Sequence, residues 1–234
     1  MTKIAFTWDD GALQDIRLFE LHRKYHIPGM FFIPAQNSEG RAVLSENQIR
    51  KNADELISFG GHTQNHVYLT DICHENIETE IVQNKEYLEN ILQRKINHFC
   101  FPGGKYTQEI KEISFRYYKT VRTADTMNFK KPENFVLRPS IHFYPRGILS
   151  LAGNGIRQHS YREVMFVIRN KNLDYFELLR KMIEIETEKN GYVIIWGHSW
   201  EIELLGLWNK LENLFAFLSS GFREYVVDYE NLFD

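Results

Sequence analysis

Ile-Ala-Phe-Thr-Trp-Asp-Asp-Gly, residues 4–11, is an apolar run that ends in two carboxylates and a glycine. The apolar part, residues 4–8, predicts a buried strand, and residues 13–25 predict the helix that follows it. Polar clusters at residues 62–66 and 197–199 also stand at the ends of segments that are predicted to be buried strands. Because the ends of parallel barrel strands converge at one rim, we expect the three clusters to build one site.

Strand and helix patterns alternate along the chain, which predicts parallel pairing with right-handed crossovers. Strands are predicted at residues 4–8, 30–33, 97–101, 119–123, 136–142, 192–196 and 225–227. Helices are predicted at residues 13–25, at residues 74–93 and along an apolar stripe over residues 204–218. Another helix is predicted after a capping box at residues 45–48, with the apolar face Ile49, Ala53, Leu56 and Ile57. Three glycines within residues 144–162 predict a long loop over the barrel mouth.

Length, charge and cysteine content exclude several classes of protein. The 234 residues fit one large α/β barrel or two smaller domains, and we expect a single domain over residues 1–234. A net charge of −3 gives no basic footprint for a nucleic-acid partner. Cys73 and Cys100 are too few for a disulfide framework, and no apolar run reaches the roughly 18 residues of a transmembrane segment. With no signal-peptide pattern, the expected location is cytoplasmic.

Asp9 and Asp10 are the first candidate chemical groups. Adjacent strand residues point to opposite sides, but the turn at Gly11 lets both carboxylates face the rim. One carboxylate can then bind a metal while the other remains free as a base. The structural alternative is an Asp N-cap for the helix that begins near Leu13.

His62 and His66 are spaced i and i+4, which places two imidazoles on one face of a helical turn and suits a transition metal. Taken alone, the two histidines could equally form an ordinary surface pair. Combined with the aspartates they supply one carboxylate and two imidazoles, a facial set of three ligands with open positions. The sequence therefore predicts a divalent metal, with zinc preferred over cobalt, nickel or manganese.

These motifs resemble the polysaccharide deacetylase family of carbohydrate esterases. Residues 7–11, Thr-Trp-Asp-Asp-Gly, match its Thr-Phe-Asp-Asp-Gly block, and residues 62–66 match its His-Ser/Thr-x-x-His motif. The resemblance implies a distorted (β/α) barrel with about seven parallel strands, and a brace for the histidine loop at Thr63. It also implies Asp9 as general base, His198 as general acid, and the metal ligands Asp10, His62 and His66.

The third motif of the family is commonly Arg-Pro-Pro-Tyr-Gly, whereas this chain has Cys100 where the arginine that braces the base would stand. The resemblance is therefore to a divergent branch, in which Arg122 or Arg138 takes the position near the base. The tyrosine of the motif contributes mainly its backbone N–H to the oxyanion, and Gly103 can supply the same group.

The fourth motif, an Asp followed by a Trp, has only Asp125 with Phe129 to match it. Trp200, just after His198, is a candidate for the missing aromatic wall and for substrate binding, or else an ordinary core or rim tryptophan. Glu201 and Glu203 either accept from His198 or begin a helix, and the helix start is the favoured interpretation.

The predicted substrate is an N-acylated amino sugar of a polysaccharide, an oligosaccharide or a glycan precursor. The reaction is removal of the N-acetyl or another N-acyl group, and an intracellular step in surface-glycan biosynthesis is expected. A deformylase or cyclic amidase is the alternative enzyme, because the ligand set does not depend on what surrounds the carbonyl. A catalytically inactive glycan-binding barrel is the third hypothesis, and the missing arginine and fourth motif are the observations in its favour.

Overall fold

A curled sheet of eight parallel strands is the framework of the computed structural model, which describes residues 1–233. The strands are β1 (Lys3–Asp9), β2 (Gly29–Ile33), β3 (Ile57–Gly61), β4 (His98–Cys100), β5 (Thr120–Arg122), β6 (Val136–Leu137), β7 (Ile141–His142) and β8 (Tyr192–Gly197). Their spatial order is β6-β5-β4-β3-β2-β1-β8-β7. The predicted distorted (β/α) barrel is confirmed, with eight strands instead of about seven.

Nine α-helices lie within the same residues and pack their apolar faces on the sheet or on one another. None of them combines the length and apolarity that a membrane span requires. They are α1 (Asp15–Tyr25), α2 (Glu46–Asn52), α3 (His74–Leu92), α4 (Gln108–Tyr117), α5 (Ile148–Arg157), α6 (Tyr161–Arg169), α7 (Tyr175–Thr187), α8 (Ser199–Leu204) and α9 (Trp208–Gly221).

Residues 136–142 do not form the single strand that their sequence predicts. Val136 pairs with β5 at one edge of the sheet, whereas Ile141 pairs with β8 at the other. Pro139 lies between them and has no N–H for a ladder, so the strand is interrupted there. The backbone N–H of Ser140 already donates to the carbonyl of Ile194 at 2.9 Å. Three residues thus connect the two edges, which holds the sheet curled.

The predicted helical face of Ile49, Ala53, Leu56 and Ile57 is wrong, because only Ile49 lies within the helix. The capping box is present: Ser45 accepts from the N–H of Gln48, whose side chain in turn accepts from the N–H of Ser45. The helix nevertheless stops at Asn52, because Oδ1 of Asp54 accepts the N–H groups of Leu56 and Ile57, both at 2.8 Å, in a tight turn. Ile57 then begins β3, the buried strand that is expected directly before the cluster at residues 62–66.

Three further predictions are corrected. Residues 144–162 contain α5 and the start of α6 instead of a long loop. Gly155 lies where the two helices pack together, since a Cβ there would lie 2.4 Å from Val164. The stripe over residues 204–218 spans two helices separated by Gly206, whose φ is +64°. Residues 225–227 contribute one isolated bridge, between Val226 and Ile4, after a 3-10 helix at Arg223–Tyr225.

Candidate active site

The polar clusters meet at the carboxyl ends of the strands. Asp9 ends β1 and Arg122 ends β5, while His62 directly follows β3 and His198 directly follows β8. Asp9, His62 and His198 line a cavity of about 280 Å³, and Arg122 is buried next to Asp9. Its lining consists of Asp9, Asp10, Glu39, Arg41, His62, His66, Tyr68, Gly103, Gly104, Ala124, Trp196, His198 and Trp200.

Asp10, His62 and His66 form a buried cluster on one wall of this cavity. Oδ1 of Asp10 lies 2.9 Å from Nε2 of His66 and 3.5 Å from Nε2 of His62. Asp10 has a φ of +76° and precedes Gly11, whose φ is +59°, so the chain turns sharply and both aspartates reach the rim. The structural alternative, an Asp N-cap, does not apply, since the side chain of neither aspartate caps α1.

The two histidines lie on a loop instead of the expected helical turn. Thr63 and His66 both have positive φ angles, +61° and +53°, and the imidazole centroids are 5.1 Å apart. Oγ1 of Thr63 accepts the N–H of Val67 at 3.2 Å, a hydrogen bond within this loop. The conformation of this loop, and not the i, i+4 spacing of a helix, thus brings the two rings together.

The surroundings of this cluster fit a divalent metal. Nδ1 of His62 lies 2.8 Å from the carbonyl oxygen of Cys100 and donates to it, which leaves Nε2 as the lone-pair nitrogen that faces Asp10. Burial disfavours the Asp10 carboxylate, but the adjacent imidazoles of His62, His66 and His198 outweigh it and hold the pKa of Asp10 far below its ordinary value. One ionised carboxylate and two imidazole nitrogens, all within 4.8 Å of one another, are a donor set that suits zinc.

Asp9 is held by the fully buried Arg122. Nη2 of Arg122 donates to Oδ2 of Asp9, and Nη1 donates to the carbonyl of Thr123 at 2.9 Å. Burial alone would lower the pKa of Arg122, but the adjacent Asp9 carboxylate raises it above its ordinary value. Arg122 is the cross-strand partner of Cys100, the position at which the expected family arginine is missing.

The small Cys100 side chain gives the guanidinium of Arg122 room beside Asp9, and its Sγ lies 3.7 Å from Oδ2 of Asp9. Arg138, the other candidate, is elsewhere: its Nε lies 3.9 Å from Asp125 in a partly exposed pair. Neither Asp125 nor Phe129 is among the residues that line the cavity.

His198 lies near the cluster of Asp10, His62 and His66 and is held by Glu201. Nδ1 of His198 donates to Oε2 of Glu201 at 2.7 Å, and Nε2 lies 3.9 Å from Oδ1 of Asp10. Burial opposes a charged imidazole, but the Glu201 hydrogen bond and the Asp10 charge outweigh it and raise the pKa of His198 to about 9. Glu201 is also in the first turn of α8, so both interpretations of this residue apply.

His142 is a site residue that the sequence left without a role. Its Nδ1 accepts from Arg146 at 3.2 Å, and its Nε2 donates to Glu201 at 2.9 Å. Burial lowers the pKa of His142 to about 4, while the two imidazoles together lower the pKa of Glu201, against its own burial, to about 2. The pattern is a neutral His142, an anionic Glu201 and a cationic His198 in one hydrogen-bonded row.

A polysaccharide deacetylase family model matches residues 2–119, half of the chain. The chain belongs to the polysaccharide deacetylase family. A curated relative, the peptidoglycan-N-acetylglucosamine deacetylase of Bacillus cereus, is 28% identical over 121 residues, which are 50% of this chain and 54% of the relative. This deacetylase-family chain therefore spans about half the length of that relative.

Solved structures share the fold of this deacetylase-family chain. A Mycobacterium smegmatis protein, provisionally named a polysaccharide deacetylase, superposes with a TM-score of 0.69 at 13% identity over 99% of this chain and 88% of its own. The Streptococcus pyogenes deacetylase PplD, solved with acetate, gives a TM-score of 0.52 at 22% identity over 58% and 62% of the two chains.

Trp200 and Gly103 complete the cavity of this family member. The indole Nε1 of Trp200 donates to Oδ2 of Asp10 at 2.9 Å, so Trp200 lines the site and also orients the candidate ligand. The guanidinium of Arg41 stacks on the Trp200 ring at 4.4 Å, a contact that no sequence motif indicated. Gly103 has a φ of +61°, and a Cβ there would lie 2.8 Å from the Tyr68 ring. The backbone at Gly103 is thus close against the cavity wall.

Proposed function

We propose that this chain is a metal-dependent N-deacetylase of an amino sugar in a polysaccharide, an oligosaccharide or a glycan precursor. The observation that carries the proposal is the buried cluster of Asp10, His62 and His66 between two groups with separate partners. Asp9 is held by Arg122 on one side, and His198 is held by Glu201 on the other. The name of the Bacillus cereus relative supports an N-acetylglucosamine substrate.

The cluster is the proposed metal site, with zinc as the preferred ion. Asp10, His62 and His66 would hold the ion, which would polarise the acyl carbonyl and lower the pKa of water from 15.7 toward about 7. Asp9 stays off the ion in this assignment because Oδ2 is taken by Arg122. Oδ1 of Asp9 has no hydrogen-bond partner among the described residues, so it is the oxygen that accepts the proton of the attacking water.

His198 is the proposed general acid. A pKa near 9 keeps its imidazole protonated at neutral pH, and Nε2 is the nitrogen that faces the ligand cluster. It can therefore give a proton to the departing amine, which leaves poorly as an anion. The backbone N–H at Gly103 is the proposed donor to the oxyanion, a contribution of about 3–4 kcal/mol for a well-placed donor. Trp200 would pack against the sugar.

The direct test measures amine release by the zinc-loaded protein. The substrates are N-acetylglucosamine oligomers, a nucleotide-linked N-acetyl sugar and a formamido sugar, with Asp9→Asn as the matched control that keeps the proposed ligands. Release from an N-acetyl sugar that needs both the metal and Asp9 supports the proposal. Release from the formamido sugar alone would assign a deformylase, and no release from any substrate by metal-loaded protein would favour a glycan-binding barrel. The expected cytoplasmic location and the role in surface-glycan biosynthesis stay predictions.

A second test isolates the role of His198. The variant His198→Ala should keep its metal and cleave the amide about 10²- to 10⁴-fold more slowly, the usual range for a positioned acid-base group. An activated ester loses its leaving group without protonation, so the same variant should lose far less rate on it. Equal losses on amide and ester would show that His198 serves attack, binding or structure instead.

A further inference from the structure

Two neighbouring helices, α5 and α6, expose a set of large apolar side chains to solvent. Their exposed fractions run from 44% for Ile168 to 89% for Leu149. On α6 the spacing is i, i+4 and i+7, and on α5 it is i and i+7, so each helix presents one apolar stripe. The exposed apolar residues are Leu149, Ile156, Tyr161, Met165 and Ile168.

These stripes belong to one structural unit. The two helices pack closely at Gly155 of α5. A Cβ at that position would lie only 2.4 Å from the side chain of Val164 of α6. The residues that face the protein body, such as Leu151 and Val167, are buried, so the exposed stripes lie on the other side of each helix. An open groove of about 520 Å³ follows between α6 and Ile185 of α7, next to Met165.

The segment that forms α5 and α6 is basic, although the protein as a whole is acidic. Residues 145–173 contain five Lys and Arg and one carboxylate, a net charge of +4 in a chain of net charge −3, which leaves −7 for the remainder. The one carboxylate, Glu163, is buried and paired with Lys189 at 3.1 Å. The basic side chains that stand beside the apolar stripes are exposed: Arg157, Arg162, Arg169 and Lys171.

We propose that this α5–α6 patch, the five apolar and four basic residues named above, docks the protein on an anionic phospholipid surface. An amphipathic helix with large apolar residues on its exposed face and Lys or Arg beside them lies in the plane of a membrane interface. Anionic headgroups attract the basic side chains, while the apolar ones enter the headgroup boundary. Charge complementarity favours this occupant over a second copy of the chain, since two copies would bring like charges together.

The patch begins at the catalytic end of the sheet. Arg146, which donates to His142 of the candidate active site, stands two residues before α5. The patch runs from there toward the opposite end of the sheet, where Glu163 of α6 pairs with Lys189 just before β8. This inference does not depend on the deacetylase proposal, because lipid binding is measured without turnover.

The test is co-sedimentation of the whole chain with vesicles of phosphatidylcholine alone or with phosphatidylglycerol added. We expect binding to the anionic vesicles only, and binding that weakens as salt is raised. Arg162→Ala should reduce partition about fivefold, and the paired change Met165→Glu with Ile168→Glu should reduce it about tenfold or more. The matched controls are Leu204→Glu and Arg116→Ala, exposed residues of the same types on other helices.

Four outcomes would overturn the proposal. The first is no binding of the unaltered chain to anionic vesicles, and the second is equal binding to both vesicle types. The third is unchanged binding by the Met165→Glu, Ile168→Glu variant while circular dichroism shows it folded. A concentration-dependent dimer that this variant abolishes in sedimentation runs without lipid would assign the patch to a second copy and also overturn it.

Discussion

The hydrogen bond between Glu201 and His198 gives a quantitative prediction for the variant Glu201→Gln. Oε2 of Glu201 accepts from Nδ1 of His198 at 2.7 Å, and the glutamine keeps the volume while removing the charge. A hydrogen bond to a charged group contributes about 1.5–3 kcal/mol, and one pKa unit corresponds to about 1.4 kcal/mol. The pKa of His198 should therefore fall by about 1–2 units from its value near 9 in the unaltered protein.

The pH profile of kcat/KM measures this change, since it reports the pKa values of the free enzyme. An acid acts while protonated, so activity falls as the pH rises through the pKa of His198. The alkaline limb of Glu201→Gln should lie about 1–2 pH units below that of the unaltered enzyme. A cation on Asp10 would offset part of the Asp10 charge and lower both limbs together, so the difference between the two proteins is the quantity to compare.

The matched control is Glu203→Gln on the same helix, whose carboxylate accepts from Trp208 instead of a histidine. Its alkaline limb should stay in place.

The same pKa of His198 also predicts a stability effect in chelator-treated protein. A pKa raised above the unfolded value of 6.5 stabilises the fold fully below that pH, and the stabilisation is lost between pH 6.5 and 9, by about 3 kcal/mol in the unaltered protein. An unshifted limb in Glu201→Gln would refute this account of His198.

Other variants test the remaining parts of the site. His62→Ala should lose most bound zinc and nearly all hydrolysis, whereas a variant of the exposed His74, His74→Ala, should keep both. Stoichiometric metal in His62→Ala would show that His62 is not a metal ligand. Asp9→Asn should keep zinc but lose turnover, whereas Asp10→Asn should lose both, and exchanged behaviours would reverse the two roles. Arg122→Met leaves the Asp9 carboxylate buried without its partner, so denaturant unfolding should show a loss of about 3–5 kcal/mol, and a loss below about 1 kcal/mol would contradict the importance of this pair.

The strand-end clusters were predictable because the residues that define each one are contiguous in sequence. The aspartate pair and the histidine pair each carry their own local pattern, and the barrel geometry supplies their meeting point. The choice between Arg122 and Arg138 was not predictable, since it depends on the register that sets Arg122 opposite Cys100. Cross-strand register is a long-range property that neither periodicity nor composition contains.

The segment after β7 shows the converse problem. Its three glycines suggested a loop, but Gly155 serves helix packing against Val164, a role that depends on a partner helix. The basic residues of α5 and α6 likewise form no run in the sequence, and only the helical fold collects them on one surface. The contact of Arg41 with Trp200 joins residues far apart in the chain, so no local signal could have found it.

Because β1 pairs with β8, the sheet can be completed only late in the synthesis of the chain. Ile4 pairs with Val193, so one edge of the first strand must wait for nearly the whole chain before its backbone groups are satisfied. Pairings of such long sequence separation form slowly, and an open strand edge is a template for aggregation in the meantime. His198 reaches Asp10 only when this last strand docks. A ribosome-bound chain that stops short of β8 would therefore lack the proposed acid and keep an open strand edge, whereas the final strand closes that edge and brings His198 to Asp10 in one event.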